Sequence, residues 1–247
     1  ILVGKGTLAS KYLINHDKKY IVELQLGTKT DTADGEGKIV KQQPVNKEIL
    51  TTKNIEKILQ SFVGKQEQIP PIYSAIKVNG KKLYEYARKG QEIELKPRKI
   101  EIYNIKLINY SVEEKQIKFE VFCGKGTYIR SLCEDIAIKF GTVGYMKSLK
   151  RIQVGDFKIE DSITIDELNN IIQKNELDKT KTIITLEKLF EKIPSIRLDN
   201  RKLELFLNGV MLTQKQNEGV YKIYNQKDEF IGTGTIKDNL LKRDIIL

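Results

Sequence analysis

The sequence predicts an α+β protein built on a mixed, mainly antiparallel sheet, and three observations carry that prediction. Short segments of alternating apolar and polar residues recur along the chain. Segments with helical apolar spacing, bounded by capping residues and glycines, lie among them. The two kinds do not alternate in the strict strand–helix–strand order that a parallel sheet requires.

Taken in order, residues 20–26 set Val22, Leu24 and Leu26 against Glu23 and Gln25, the pattern of a half-buried strand that stops at Gly27. A polar loop is expected over residues 28–37. Thr52 is placed to cap a helix whose apolar face is Ile55, Ile58, Leu59 and Phe62, ended by Gly64. Pro70-Pro71 forces an extended segment through residues 73–78, and Asn79-Gly80 is a tight-turn signal. Residues 83–88 read as a short helix closed by Gly90. Strands follow over 100–108 and 117–121. After Gly124-Lys125-Gly126 a helix turns Ile129, Leu132, Cys133, Ile136 and Phe140 inward and ends at Gly141. Thr164 and Glu167 make a capping box for another helix. Beyond Pro194, Asn208-Gly209, Gly219 and Gly232-Thr233-Gly234 punctuate short apolar strands at 220–224 and 229–231. That texture places a small β-rich module at 193–247, after a larger domain at 1–192.

Composition narrows the chemistry. Hydrophobic residues at 40% and charged residues at 31% are ordinary for a globular chain. No run of about 18 apolar residues is present, so no spanning helix is expected. The start, Ile1-Leu2-Val3-Gly4-Lys5, has no signal-peptide pattern, lacks an initiator Met and reads as if cut from inside a folded element. A net charge of +10, from 43 Lys+Arg against 33 Asp+Glu, favours a polyanionic partner. The same excess also fits a solvated lysine-rich surface, and charge alone does not separate the two. Two cysteines, Cys123 and Cys133, make no disulfide framework, and a reducing cytoplasm is the default. His16 is the single histidine, with no G-x-S-x-G context for a hydrolytic triad and no cysteine or histidine spacing for a metal. Any chemistry then rests on carboxylates, Tyr, Lys or Arg. No heptad pattern points beyond a monomer.

Four clusters stand out. The first is Lys19-Tyr20-x5-Leu26-Gly27-x2-Thr30-x-Thr32-x-Asp34-x2-Gly37. The second runs from Pro70-Pro71-x-Tyr73-Ser74-Ala75-x-Lys77-x2-Gly80 to Leu83-Tyr84-Glu85-x-Ala87-Arg88. The third is Lys125-Gly126-Thr127-Tyr128-Ile129-Arg130, and the fourth is Leu149-Lys150-Arg151 after Gly144-Tyr145-Met146. Read singly, these are a strand with a polar turn, a proline-stiffened hairpin, a glycine turn before a helix and a solvated basic stretch.

In order and spacing they resemble the TruB family of tRNA pseudouridine synthases, over a stretch running from about Gly4 to the C-terminus. The resemblance implies the pseudouridine synthase fold with a small C-terminal PUA-like RNA-binding module. It implies an isomerase that acts on a T-loop uridine of tRNA, position 55, flipped out of its stack. Tyr20 matches the tyrosine that stacks on the everted base and can take part in proton transfer from C5. Arg130 matches the arginine that pairs with the catalytic aspartate. Tyr128 and Leu149 match residues lining the uracil pocket, Asp34 an acidic residue near the substrate loop, and Lys77 a partly structural motif position. Lys125, Lys147, Lys150 and Arg151 are the candidates for RNA phosphates. The family's aspartate lies in a G-T-L-D-P-x-A segment, which in this register falls before Ile1. The 247-residue polypeptide is therefore expected to lack its nucleophile and to be inactive alone, with a sheet edge or apolar face uncovered. The alternative is a non-catalytic tRNA-binding or tRNA-folding protein on the same scaffold.

The chemistry fits those residue types. Breaking C1′–N1, turning the uracil and joining C1′ to C5 is an isomerisation, which requires no redox cofactor or metal. It requires a carboxylate nucleophile, a dry slot for the detached base and a donor that keeps the carboxylate ionised and aimed. The planar fork of an arginine suits the last task. An aromatic ring restores about 1–3 kcal/mol of the stacking that flipping removes.

Overall fold

The alternation at residues 20–26 becomes strand β1 (Lys18–Leu26), reached through a 3-10 turn (Gly4–Ala9) and helix α1 (Ser10–Leu13). The computed structural model describes residues 1–91, 93–177, 180 and 182–247. Its two compact units are Asn15–Asp161 and Ile1–Ile14 with Ser162–Leu247.

In the first unit, Val22, Leu24 and Leu26 of β1 are buried. Gly27, at φ +87, turns the chain into a two-stranded ribbon, β2 (Thr28–Thr30) with β3 (Ile39–Gln42). The sequence showed only a loop at 28–37, because β2 finds its partner beyond that segment. Helix α2 (Thr52–Gln60) begins at its expected cap residue, one position earlier than a cap at Thr52 implies. Thr51, still extended at φ −108, accepts a hydrogen bond from the Asn54 amide at 3.3 Å, so Thr52 is the first helical residue. The helix ends at Gln60, and Gly64, at φ +113, opens strand β4 (Gly64–Gln68) instead of closing the helix. Only the last two residues of the extended segment at 73–78 form a strand, β5 (Lys77–Val78). It pairs with β6 (Lys81–Lys82) across Asn79-Gly80, both at positive φ. Helix α3 (Leu83–Arg88) follows.

Strands β7 (Arg98–Ser111) and β8 (Gln116–Cys123) form a long hairpin, and helix α4 (Ile129–Lys139) buries Ile129, Leu132, Cys133 and Ile136 as its spacing predicted. Strand β9 (Gly144–Val154) and the short β10 (Phe157–Lys158) complete an antiparallel sheet of order β10-β9-β1-β8-β7-β4. The basic stretch after Leu149 is thus a strand beside β1. It carries little apolar alternation, since Lys147, Ser148, Leu149 and Lys150 are all exposed and the register slips opposite Glu23/Leu24 and Lys19/Tyr20. Val22, Leu24, Phe119 and Val121 of the sheet, Ile55 and Leu59 of α2, and Leu132 and Ile136 of α4 share one core. Each fully buried side chain of this kind contributes about 1.5–3 kcal/mol.

The second unit has α5 (Ile165–Gln173), with the Thr164/Glu167 capping box formed, and α6 (Leu186–Leu189). Strand β11 (Ser195–Arg197) then leads to helix α7 (Asn200–Leu207), capped by the Asp199 carboxylate, and to β12 (Leu212–Thr213). Strands β13 (Gly219–Tyr224), β14 (Phe230–Lys237) and β15 (Leu240–Ile246) finish a sheet of order β11-β13-β14-β15-β12. Only β11 and β13 run parallel in it. Helix α7 lacks a sequence signal as strong as the surrounding turns, yet its Phe206 is the fully buried ring of this core. Residues 1–14 dock here: Ala9 and Tyr12 pack with Phe190 and Ile245, and Lys11 and Tyr12 both donate to Asp244. Burial and the Asp244 carboxylate push the Tyr12 phenol up to about 12. The texture change near Ile193 falls inside this unit, just before β11. The architecture is α+β with antiparallel sheets, as the sequence predicts.

Candidate active site

Arg130 enters the site from the first turn of α4. Its Nη1 donates to the Thr32 carbonyl and to Asp34 Oδ2, both at 3.1 Å, and its Nη2 donates to the Tyr73 carbonyl at 2.7 Å. Three chain segments far apart in sequence are thereby gathered by one guanidinium. The pair with Asp34 is about one-fifth exposed on each side, 22% and 23%, so it is screened less than a surface ion pair. These three bonds leave two of the five N–H donors of an arginine for another acceptor.

The loop that delivers Asp34 is tightly specified. Asp34 Oδ1 accepts from the Thr32 hydroxyl at 2.6 Å and the Glu36 amide at 3.3 Å, while the Thr30 hydroxyl donates to the Asp34 carbonyl at 2.7 Å. Ala33 sits between them at φ +60, a left-handed conformation that costs an L-residue about 1 kcal/mol. Its carbonyl accepts from the Met146 amide at 3.0 Å, which pins the loop to β9. A Cβ on Gly37 would stand 2.3 Å from the Thr32 hydroxyl oxygen and 2.5 Å from Asp31 Oδ1, so a larger residue there would displace the two side chains that brace this loop. With both carboxylate oxygens engaged, Asp34 holds Arg130 in place.

Tyr20 is presented differently, by strand register. It pairs with Val121 on β8 and Arg151 on β9, and packs at the margin of the core that Val22 and Leu24 begin. Burial first, then the nearby Cys123, raise the phenol above its ordinary value, and the positive charge of Arg151 opposes the shift. The phenol is therefore un-ionised at neutral pH, a donor and stacking surface. Leu149, opposite Val22 and 42% exposed, lies two residues before Arg151 on the same side of β9. Leu24 pairs with Met146, the β9 residue that Asp34 adjoins. Four residues of β1 separate Leu24 from Tyr20, about 13 Å at ~3.3 Å per residue.

The other sequence candidates occupy several places. Tyr128 is the residue just before α4, two positions from Arg130. Lys125 is exposed in the preceding turn and donates to Asn15 Oδ1 at 3.1 Å. Lys147 and Lys150 are exposed on β9, with Lys150 opposite Ile21 and so facing away from Tyr20. Lys77 is exposed on the β5–β6 hairpin, where it faces Lys82 across the strand pair; Tyr73, earlier in that motif, is the residue that reaches Arg130. Arg151, read from the sequence as a phosphate contact, is placed beside the Tyr20 phenol. Thr32 and Tyr73 lie inside the sequence motifs, but they act through main-chain carbonyls, which no side-chain pattern reveals. Gln68 and Ser131, which tie the segment before Tyr73 to α4, carry no signal in the sequence. Among the described residues no group of His, Cys, Asp and Glu is arranged to hold a metal, and no helix is long and apolar enough to cross a membrane.

Comparison with known proteins is consistent along the chain. Residues 1–129 match the TruB family pseudouridylate synthase N-terminal domain, residues 130–193 the tRNA pseudouridylate synthase B C-terminal domain, and residues 194–242 the pseudouridine synthase II TruB C-terminal domain. The tRNA pseudouridine synthase B of Caldanaerobacter subterraneus subsp. tengcongensis is 39% identical over 244 residues, which cover 98% of this chain and 81% of that protein. The protein of the same name from Clostridium kluyveri is 41% identical over 244 residues, covering 96% and 81%. Among solved structures, a chain of an H/ACA RNP bound to a substrate RNA containing 2′-deoxyuridine superposes with a TM-score of 0.63 at 18% identity, over 99% of this chain and 70% of that one. A chain of a Cbf5-Nop10-Gar1 complex gives 0.62 at 20%, over 99% and 69%. At those identities the likeness is one of fold.

Proposed function

The chain belongs to the TruB family of pseudouridine synthases, and from that premise we propose that it isomerises the T-loop uridine of tRNA, position 55, to pseudouridine on a nucleotide turned out of its stack. The observation that carries this reading is the Arg130 corner: a guanidinium fixed by Thr32, Asp34 and Tyr73, with donors to spare for a carboxylate. In this reading that carboxylate is the aspartate of the family's G-T-L-D motif, a motif these 247 residues do not contain. Arg130 keeps it ionised and aimed, and Asp34 keeps Arg130 from swinging to solvent.

The uracil lies between this corner and Tyr20, against Leu149 and Tyr128. As the C1′–N1 bond breaks, the ring of Tyr20 holds the base by stacking while it turns. The C1′–C5 bond then forms and the C5 proton leaves, with N1 gaining a proton, so that substrate and product are isomers. An un-ionised phenol at Tyr20, opposite Arg151 in the sheet, favours a donor and positioning role over that of a free phenolate base. The compact unit Asn15–Asp161 forms the catalytic body and residues 193–247 a PUA-like RNA-binding module, the latter supported by the separate family match that starts at residue 194. Residues 1–14 and 162–192 fall in the compact unit of that module, not in the body to which the sequence assigned them. Lys77, Lys125, Lys147 and Lys150 are exposed cations suited to phosphate, and the net charge of +10 supports a polyanionic partner. The protein acts as a cytoplasmic monomer in this reading.

The test uses protein expressed from the complete reading frame and a tRNA transcript tritiated at uridine C5. Release of tritium from the T-loop uridine alone, abolished in Arg130→Ala with tRNA affinity kept within a few-fold, is the expected result. Salt-dependent tRNA binding without any release would favour the tRNA-binding alternative.

A further inference from the structure

We propose that Gln68 is a positioning residue of the reaction, one that sets the start of α4 so that Arg130 reaches its three acceptors together. The inference rests on the pseudouridine synthase reading and assigns a residue that the family motifs quoted above do not include.

Tyr128 stands at the N-cap of α4, and no side chain of its own segment caps the helix. Gln68, the last residue of β4, does so from elsewhere in the chain. Its Oε1 accepts from the Tyr128 amide at 2.8 Å, and its Nε2 donates to the Tyr128 carbonyl at 3.0 Å. The primary amide therefore grips both polar groups of one residue, as a neighbouring strand would, and fixes its rotation as well as its position. Two further ties run between the same segments: the Ser131 hydroxyl donates to the Ile69 carbonyl at 2.9 Å, and Arg130 Nη2 to the Tyr73 carbonyl at 2.7 Å. The turn on the other side of Tyr128 is closed by the Thr127 hydroxyl, which donates to the Gly124 carbonyl at 3.0 Å and does not bond Tyr128. A shift at Tyr128 is carried two residues on to Arg130, whose acceptors at Thr32, Asp34 and Tyr73 all lie within 2.7–3.1 Å. A misplacement of about 1 Å costs on the order of 100-fold in rate.

Gln68 is only 4% exposed. Burying an amide is unfavourable unless both its ends are bonded. An apolar side chain would fill the same space without that penalty but could not orient a peptide.

The Gln68→Glu variant provides a readout that packing alone does not give. A neutral carboxylic acid repeats both bonds: its carbonyl accepts from the Tyr128 amide and its hydroxyl donates to the Tyr128 carbonyl. A carboxylate has no proton to donate and sets its charge against that carbonyl. Burial and the facing carbonyl raise the acid above the ordinary glutamate value of about 4.3. The acid form, present below that raised pKa, is the competent one. Single-turnover rates of Gln68→Glu should therefore recover toward wild type as pH falls through that pKa and drop about 10- to 100-fold above it. Wild type should show no such step, and tRNA affinity should stay within about threefold of wild type at each pH. Gln68→Met, which fills the space with neither bond, should be slow at every pH. If Gln68→Met fails to fold, the Gln68→Glu profile decides alone. A wild-type rate in Gln68→Met, or a Gln68→Glu profile parallel to that of wild type, overturns the inference. Absence of pseudouridine with wild-type protein would instead overturn the functional reading beneath it.

Discussion

Arg130 and Tyr20, the two residues on which the proposed chemistry turns, are held by opposite means. Arg130 is fixed by side-chain bonds to three segments distant in sequence, at Thr32, Asp34 and Tyr73. Tyr20 is fixed by main-chain register between β8 and β9, opposite Val121 and Arg151. A strand tolerates exchange of one side chain because its backbone bonds remain. A knot of side-chain bonds fails when one member is removed, since the others are left partly buried without partners. The Arg130 corner should therefore be the fragile half of the site and the Tyr20 strand the robust half.

The largest effect should come from breaking the knot at its centre. Arg130→Ala removes the donor to the nucleophile and leaves Asp34 unpaired, and a loss of about 1,000-fold in turnover is expected, about 4 kcal/mol. Arg130→Lys keeps the charge but not the fork and should still lose about 100-fold. Quench-flow with the tritiated transcript measures both. Asp34→Asn comes next: it keeps the shape of the loop but loses the charge that holds Arg130, and about 10- to 100-fold should go from kcat with KM little changed. A KM effect alone would show that Asp34 meets RNA instead.

On the robust side, Tyr20→Phe should leave thermal stability within about 0.5 kcal/mol of wild type. Tyr20→Ala should in addition weaken the hold on the everted base by about 1–3 kcal/mol, read as affinity for a T-arm carrying a non-reacting uridine analogue. The phenol also gives a pH signature. Its folded-state pKa lies above the unfolded value of about 10, so the stability linked to the un-ionised form is complete below pH 10 and is lost as pH rises through the folded-state pKa. Turnover should thus show no step from ionisation of Tyr20 between about pH 6 and 9, and a wild-type step in that window that disappears in Tyr20→Phe would contradict the assignment. The smallest effect belongs to Lys150→Ala, on the face of β9 away from Tyr20. It should lower the slope of log affinity against log salt by about 1 and leave the chemical step unchanged.

Much of the fold was legible because local signals and burial agreed. Val22, Leu24 and Leu26 alternate and are buried; Ile129, Leu132, Cys133 and Ile136 have helical spacing and line the core; Asn79-Gly80 turns where its conformational freedom predicts. Strand β9 was not legible, because its middle is exposed and basic and its register slips twice, so alternation is absent from the sequence. Helix α7 was hidden for another reason, being a short helix among strong turn signals, defined by the burial of Phe206. Within the site, motif order brought Tyr20, Asp34 and Arg130 to notice, but not the bond of Arg130 to Asp34, nor the part of Gln68, a lone amide ahead of a proline.

What the sequence determined by itself is most of the elements and the chemical inventory: α+β texture, one histidine, two cysteines, no metal spacing, and a basic chain whose motifs match one family. What only the tertiary structure decided is which of those residues share a bond. Periodicity acts over a few residues, whereas Arg130 joins positions 57 to 98 residues away, at Tyr73, Asp34 and Thr32. Side-chain bonds to main-chain carbonyls leave no mark on the partner's identity, and so they become visible only once the chain has closed on itself.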